Sequence, residues 1–214
     1  MQRVMIGFVY EIMSCTGFEG LTLKLITACT LALLLGSSTI GIGWLINNLE
    51  KLQMTFLSKL FSPKAADIIC NYVTFPGTML HELSHAIAAW MTGAKVVNCS
   101  LFEINSSGRL GHVEFVPKGN PFKKSWQLAV TSCAPVINGI IWMLVGSKLL
   151  TAYNLPFFIN IILVYLLISI LDHMSMSKED IKNYLKGWFV ILPLMVFIMY
   201  IGVHLYVAKM RVTG

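Results

Sequence analysis

From Leu25 to Ile46 the chain runs for 22 residues without one charged side chain. A run of about twenty apolar residues is what a helix needs to cross roughly 30 Å of hydrocarbon. In that medium every backbone N–H and C=O must find its partner inside the segment, which leaves a helix as the form of an isolated span. Asn47, Asn48, Glu50 and Lys51 close the run with the polarity of a membrane interface. The rest of the sequence agrees, with 56% hydrophobic and only 12% charged residues, against about 25% charged in soluble domains. Three further spans are predicted at about Trp126 to Leu149, Pro156 to Leu171 and Gly187 to Ala208, the last entered through Ser177-Lys178-Glu179-Asp180. With an apolar stretch from Ala65 to Trp90, broken by Asp67 and by Pro76-Gly77, the expectation is an all-α integral membrane protein of about five transmembrane helices. Residues 1–214 are expected to form one membrane-embedded domain.

Charge and cysteine content narrow the class. The net charge of +6 is scattered between the apolar runs, with no basic block of the kind that binds nucleic acid. It reads as membrane-surface charge. Ten of the 16 basic residues fall on one side if the N-terminus, the segment after the second apolar stretch and residues 172–186 share that side, which the positive-inside bias makes cytoplasmic. The five cysteines form no Cys-x-x-Cys pair, so neither a disulfide framework nor a thiolate metal site is expected. Glu11 interrupts the apolar N-terminus and no small-residue cleavage site follows, which points to an interfacial helix rather than a removed signal peptide.

Pro76 suits the first turn of a helix and Gly93 the position after its last, so a helix is predicted from about Pro76 to Thr92. Lys95 to Ile104 and Arg109 to Val116 are rich in Val, Phe and Ile and flank Asn105-Ser106-Ser107-Gly108. They read as a short β-hairpin at the membrane face. The helix carries His81-Glu82-Leu83-Ser84-His85. Residues four apart share a helix face, so His81 and His85 can direct their rings at one metal ion. Glu82, offset by about 100° from His81, reaches a water held by that ion without taking a ligand position, and is the candidate general base. Zinc lowers the pKa of such a water to roughly 7 and polarises a carbonyl. Two imidazoles and a carboxylate in an apolar run are costly to bury unless they pair, bind a metal or line a polar cavity.

A catalytic zinc normally has three protein ligands and one open position. After the motif the acids are Glu103, Glu114, Asp172, Glu179 and Asp180, and the histidines His112, His173 and His204. Asp180 is favoured as the third ligand, because it lies at the head of the last span on the side of the C-terminal end of the motif helix. It has a competing and compatible reading: Ser177 with Asp180 three residues on resembles a capping box. Asp172, at the end of the preceding span, is the second choice. Asn138, polar within a span, either bonds a substrate backbone or a neighbouring helix. His112 and His204 are expected to be structural.

Pro76-Gly77-Thr78-Met79-Leu80-His81-Glu82-Leu83-Ser84-His85-Ala86, continued by Thr92-Gly93-Ala94-Lys95-Val96, resembles the site-2 protease family of intramembrane zinc metalloproteases. Ala134-Pro135-Val136-Ile137-Asn138 is similar to the family's Ala-Gly-Pro-x-x-Asn, with Ala134 where the glycine stands. Leu171-Asp172 is followed by His173 rather than glycine, whereas Ser177-Lys178-Glu179-Asp180 is similar to the serine-and-aspartate version of small members. The resemblance spans about Phe75 to Gly187 and implies a small bacterial-type member in the bacterial cytoplasmic membrane. Its implied cofactor is zinc, and its implied substrate a membrane-spanning protein, cut in regulated intramembrane proteolysis after an earlier cleavage. Such a substrate helix must unwind to expose its carbonyls, and the free edge of the hairpin can hold it as an added strand. The alternative is a zinc-binding membrane scaffold or sequestering protein without proteolytic turnover.

Overall fold

The computed structural model describes residues 2–101, 103 and 110–213. They are mostly helical, with one two-stranded antiparallel sheet. In chain order they form α1 (Gln2–Ser14), α2 (Gly20–Leu60), α3 (Pro63–Asp67), a π-helical segment (Ile68–Val73) and α4 (Phe75–Thr92). Strands β1 (Lys95–Ser100) and β2 (His112–Val116) follow, then α5 (Pro121–Ala152), α6 (Phe157–His173), α7 (Lys178–Lys186) and α8 (Trp188–Thr213). The predicted hairpin turn at residues 105–108 lies outside the described residues.

Among the described residues three helices, α2, α5 and α8, are long and apolar enough to cross a membrane, as an integral membrane protein requires. A fourth crossing is added if α6 and α7, which meet at a 68° bend, count as one broken span. The sequence led to an expectation of about five. The shortfall has two physical sources: α6 alone has 17 residues, the short end of the spanning range, and the 18-residue α4, which carries the two histidines and the glutamate of the motif, is not among the helices long and apolar enough to cross. A second difference is α2, which continues to Leu60, well past the polar residues that close its apolar run. Asn47 to Lys51 end the apolar run but not the helix, since Glu, Lys, Leu, Gln and Met are all good helix formers. The helix stops just before Pro63.

Two compact units divide the chain. The first is Met1–Ser38 with Trp188–Gly214. Its core joins Ile6 and Val9 of α1, Leu31 of α2, and Val203 and Val207 of α8, flanked by Tyr10 and Tyr206 in an edge-on aromatic contact. Gly7 leaves room for the Tyr206 hydroxyl, which a Cβ would meet at 2.6 Å.

The second unit, Thr39–Gly187, carries the motif. Here α4 packs against α5 and α6. Gly77 faces the Ser169 carbonyl so closely that no side chain fits between them. The Ser169 hydroxyl ties the start of α4 to α6, accepting from the Gly77 N–H at 2.8 Å and donating to the Thr74 carbonyl at 2.6 Å. At the other end Gly93 adopts the left-handed conformation (φ 79°) that closes the helix, as its position in the sequence predicts. Fully buried Gln127 of α5 fastens this end, donating to the Thr92 carbonyl at 2.9 Å and accepting from the Lys118 N–H at 2.7 Å. The hairpin pairs Lys95 with Val116 and Ser100 with His112, with an irregularity between Val96 and Asn98. Buried Met174 and Met176 anchor the α6–α7 bend, against Gly139 of α5 and Gly43 of α2.

Candidate metal centre

One helical turn of α4 sets His81 above His85, and their Nε2 atoms lie 3.1 Å apart. Each ring is held by its other nitrogen. The His81 Nδ1 donates to the His173 carbonyl at 2.5 Å and the His85 Nδ1 to the Thr131 carbonyl at 2.8 Å. A carbonyl only accepts, so both Nδ1 atoms carry the proton and both Nε2 atoms present lone pairs. Two lone pairs facing each other repel, and a cation between them removes the conflict. Nitrogens bound to one tetrahedral zinc at 2.0–2.1 Å are about 3.3 Å apart, close to the separation found here.

Both carbonyls are available for a reason written in the chain. Pro135 has no N–H, so the carbonyl four residues earlier, that of Thr131, lacks its helical partner. His173 is the last residue of α6, where the final carbonyls lack partners as well. One acceptor is thus released by a proline inside α5 and the other by a helix end. Second-sphere acceptors of this kind set the tautomer and orientation of ligating imidazoles. Pro135→Ala restores the helical N–H and brings a competitor to the Thr131 carbonyl. We expect it to keep or raise thermal stability while weakening metal binding by about tenfold or more, as read by titration against a chelator.

Asp180 is the third member of the group: one ligand atom each from His81, His85 and Asp180 fall within 4.8 Å of one another. The two readings of this acid coexist because its oxygens divide the work. Oδ2 accepts from the Ser177 N–H at 3.0 Å and hydroxyl at 2.6 Å, completing a capping box at the head of α7. Oδ1 faces the His85 Nε2 at 3.7 Å. Asp172 is outside this group and accepts from Gln53 at 3.3 Å. Glu179 is exposed beside Lys182, His112 bonds Asn98 on the hairpin at 2.9 Å, and His204 bonds Lys24 at 3.3 Å.

Glu82, the residue after His81, lines a cleft of about 210 Å³ that His81 lines as well. Its walls include His81, Thr78, Asn71 of the π-helical segment, Glu50 of α2, Asp172, and Gly111, which leads into β2. Gly111 approaches closely, since a Cβ there would meet the Glu82 side chain at 2.8 Å. Among the described residues the Glu82 carboxylate has no hydrogen-bond partner. The structure does not bring Asn138 to this cleft. Its amide donates to the Ser84 hydroxyl at 2.7 Å and so links α5 to α4, beside a separate apolar groove. Of the two roles open to it in the sequence, the neighbouring helix is the partner found.

Glu50, Asn71 and Thr78 were not singled out by sequence reasoning. Glu50 reads as an interface marker, and nothing local tells that α2 carries it to the cleft. The release of the Thr131 carbonyl, by contrast, follows from Pro135 alone once α5 is recognised as continuous. Comparison with protein-family models, with curated proteins and with solved structures finds no match to this chain.

Proposed function

We propose that this chain is an intramembrane zinc metalloprotease, similar to the site-2 protease family, that hydrolyses peptide bonds of membrane-spanning substrates. The observation that carries the reading is the group of His81, His85 and Asp180 ligand atoms within 4.8 Å, beside a carboxylate that opens onto a cleft, in a chain of membrane-spanning length and composition. Two imidazoles and one carboxylate are a donor set of catalytic zinc sites, which keep a further position open. When bound, zinc polarises a peptide carbonyl and acidifies water.

The chain's own residues supply the rest. His81 and His85 offer Nε2 in a fixed tautomer, and Asp180 offers Oδ1 while its other oxygen stays in the helix cap. Glu82 takes the proton of the attacking water and returns it to the leaving amine nitrogen. The cleft receives an unwound stretch of substrate, and the free hairpin edge adds that stretch as a strand. In this reading α4 and α6 also lie at membrane depth, making five spans in a bacterial cytoplasmic membrane.

Protein purified in detergent is expected to carry about one zinc per chain and to cleave a single-span protein reconstituted with it. A chelator stops the cleavage and added zinc restores it. Zinc content without turnover on a panel of single-span substrates would reject the proteolytic reading in favour of a sequestering scaffold.

A further inference from the structure

Thr78 stands one turn before Glu82 on the same face of α4, only 8% exposed. Its hydroxyl has no hydrogen-bond partner among the described residues. Threonines in helices commonly return the hydroxyl to the carbonyl four residues back, as Thr27, Thr55, Thr92 and Thr151 do here. For Thr78 that acceptor belongs to Thr74, and it is already engaged by the Ser169 hydroxyl at 2.6 Å and the Gly77 N–H at 3.0 Å. The contact that fastens α4 to α6 therefore occupies the carbonyl Thr78 would otherwise use. The side chain lines the cleft that also holds His81 and Glu82.

A buried hydroxyl without a partner is unfavourable unless something that enters the site satisfies it. Water and peptide backbone both qualify, and the cleft is the place where, on the proteolytic reading, an unwound segment lies. Such a segment has lost its internal hydrogen bonds in apolar surroundings and needs replacements. A hydroxyl suits it, since it donates to a carbonyl or accepts from an N–H. The contact is then blind to substrate side chains.

We propose that Thr78 is a substrate-positioning residue whose hydroxyl bonds the backbone of an extended peptide segment in the cleft and holds it beside Glu82. This rests on the proteolytic reading, and the two are tested separately. The probe is a fluorescent apolar peptide with a central Gly-Pro break, bound to the full-length, zinc-loaded Glu82→Gln protein in detergent. Thr78→Val keeps the shape and removes the unpaired group, so its zinc content and thermal stability are expected to stay at the parent level. Its dissociation constant for the peptide is expected to rise about tenfold, and Thr78→Ser to restore binding to within about threefold. With Glu82 intact, Thr78→Val is expected to lower kcat/KM by a similar factor or more, again rescued by serine. Equal peptide affinity in the valine variant overturns the proposal, as does a serine variant as weak as valine with zinc retained. Loaded wild-type protein that binds the peptide in a Thr78-dependent way without cleaving any substrate sustains the positioning role and rejects proteolysis. Loaded wild-type protein that binds no such peptide overturns the positioning role.

Discussion

Glu82→Gln is expected to retain zinc at the wild-type level and to lose cleavage of a reconstituted single-span substrate by about 10²–10⁴-fold, the usual worth of a positioned general base. Glutamine has the shape of glutamate but cannot take a proton. The metal should stay because Glu82 is not among the three residues whose ligand atoms converge. The fold should stay because, among the described residues, the carboxylate holds nothing by a hydrogen bond. The two readouts are metal per chain and cleavage rate from the same preparation. Undiminished cleavage would remove Glu82 from the chemistry, and lost metal would place it among the ligands.

The second large effect separates the acids. His85→Ala and Asp180→Asn are expected to lose most bound zinc after passage over a weak chelator, whereas Asp172→Asn should keep it. Asparagine at 180 retains a side-chain oxygen for the cap but not the anionic oxygen that faces His85. The structural penalty should therefore stay within the range of about 0.5–2 kcal/mol seen when a cap is lost altogether. Circular dichroism and thermal melting on the same samples then show metal loss without unfolding. Zinc retained by Asp180→Asn and lost by Asp172→Asn would move the third ligand to Asp172, and the bond from Gln53 would have to break to release it.

Much of this architecture is local and hence legible in the chain. The uncharged run after Leu25 specifies a helix because lipid permits little else. Gly93 ends α4 by its left-handed backbone, and Ser177 and Asp180 announce the head of α7. What stayed hidden depends on partners far apart in sequence. Glu50 and Asn71 look like ordinary polar residues until α2 and the π-helical segment bring them to one cleft wall. Asn138 had two roles open to it because periodicity places it within a span but does not say that Ser84 lies opposite. The π-helical segment itself has no hydropathy signature, although such irregularities often occur beside functional sites. Thr78 is conspicuous only once Ser169 is seen to occupy the carbonyl behind it.

The bend between α6 and α7 supplies both the carbonyl that orients His81 and the carboxylate that faces His85, from residues separated by little more than Met174 to Ser177. Adding or deleting one residue in this non-helical connector would change its reach by up to about 3.3–3.6 Å and carry the acid off its bearing, whereas most exchanges of side chain at Ser175 would leave that reach alone. Insertions and deletions in this connector should therefore be far less tolerated than point changes, so that its span is held more tightly than its spelling.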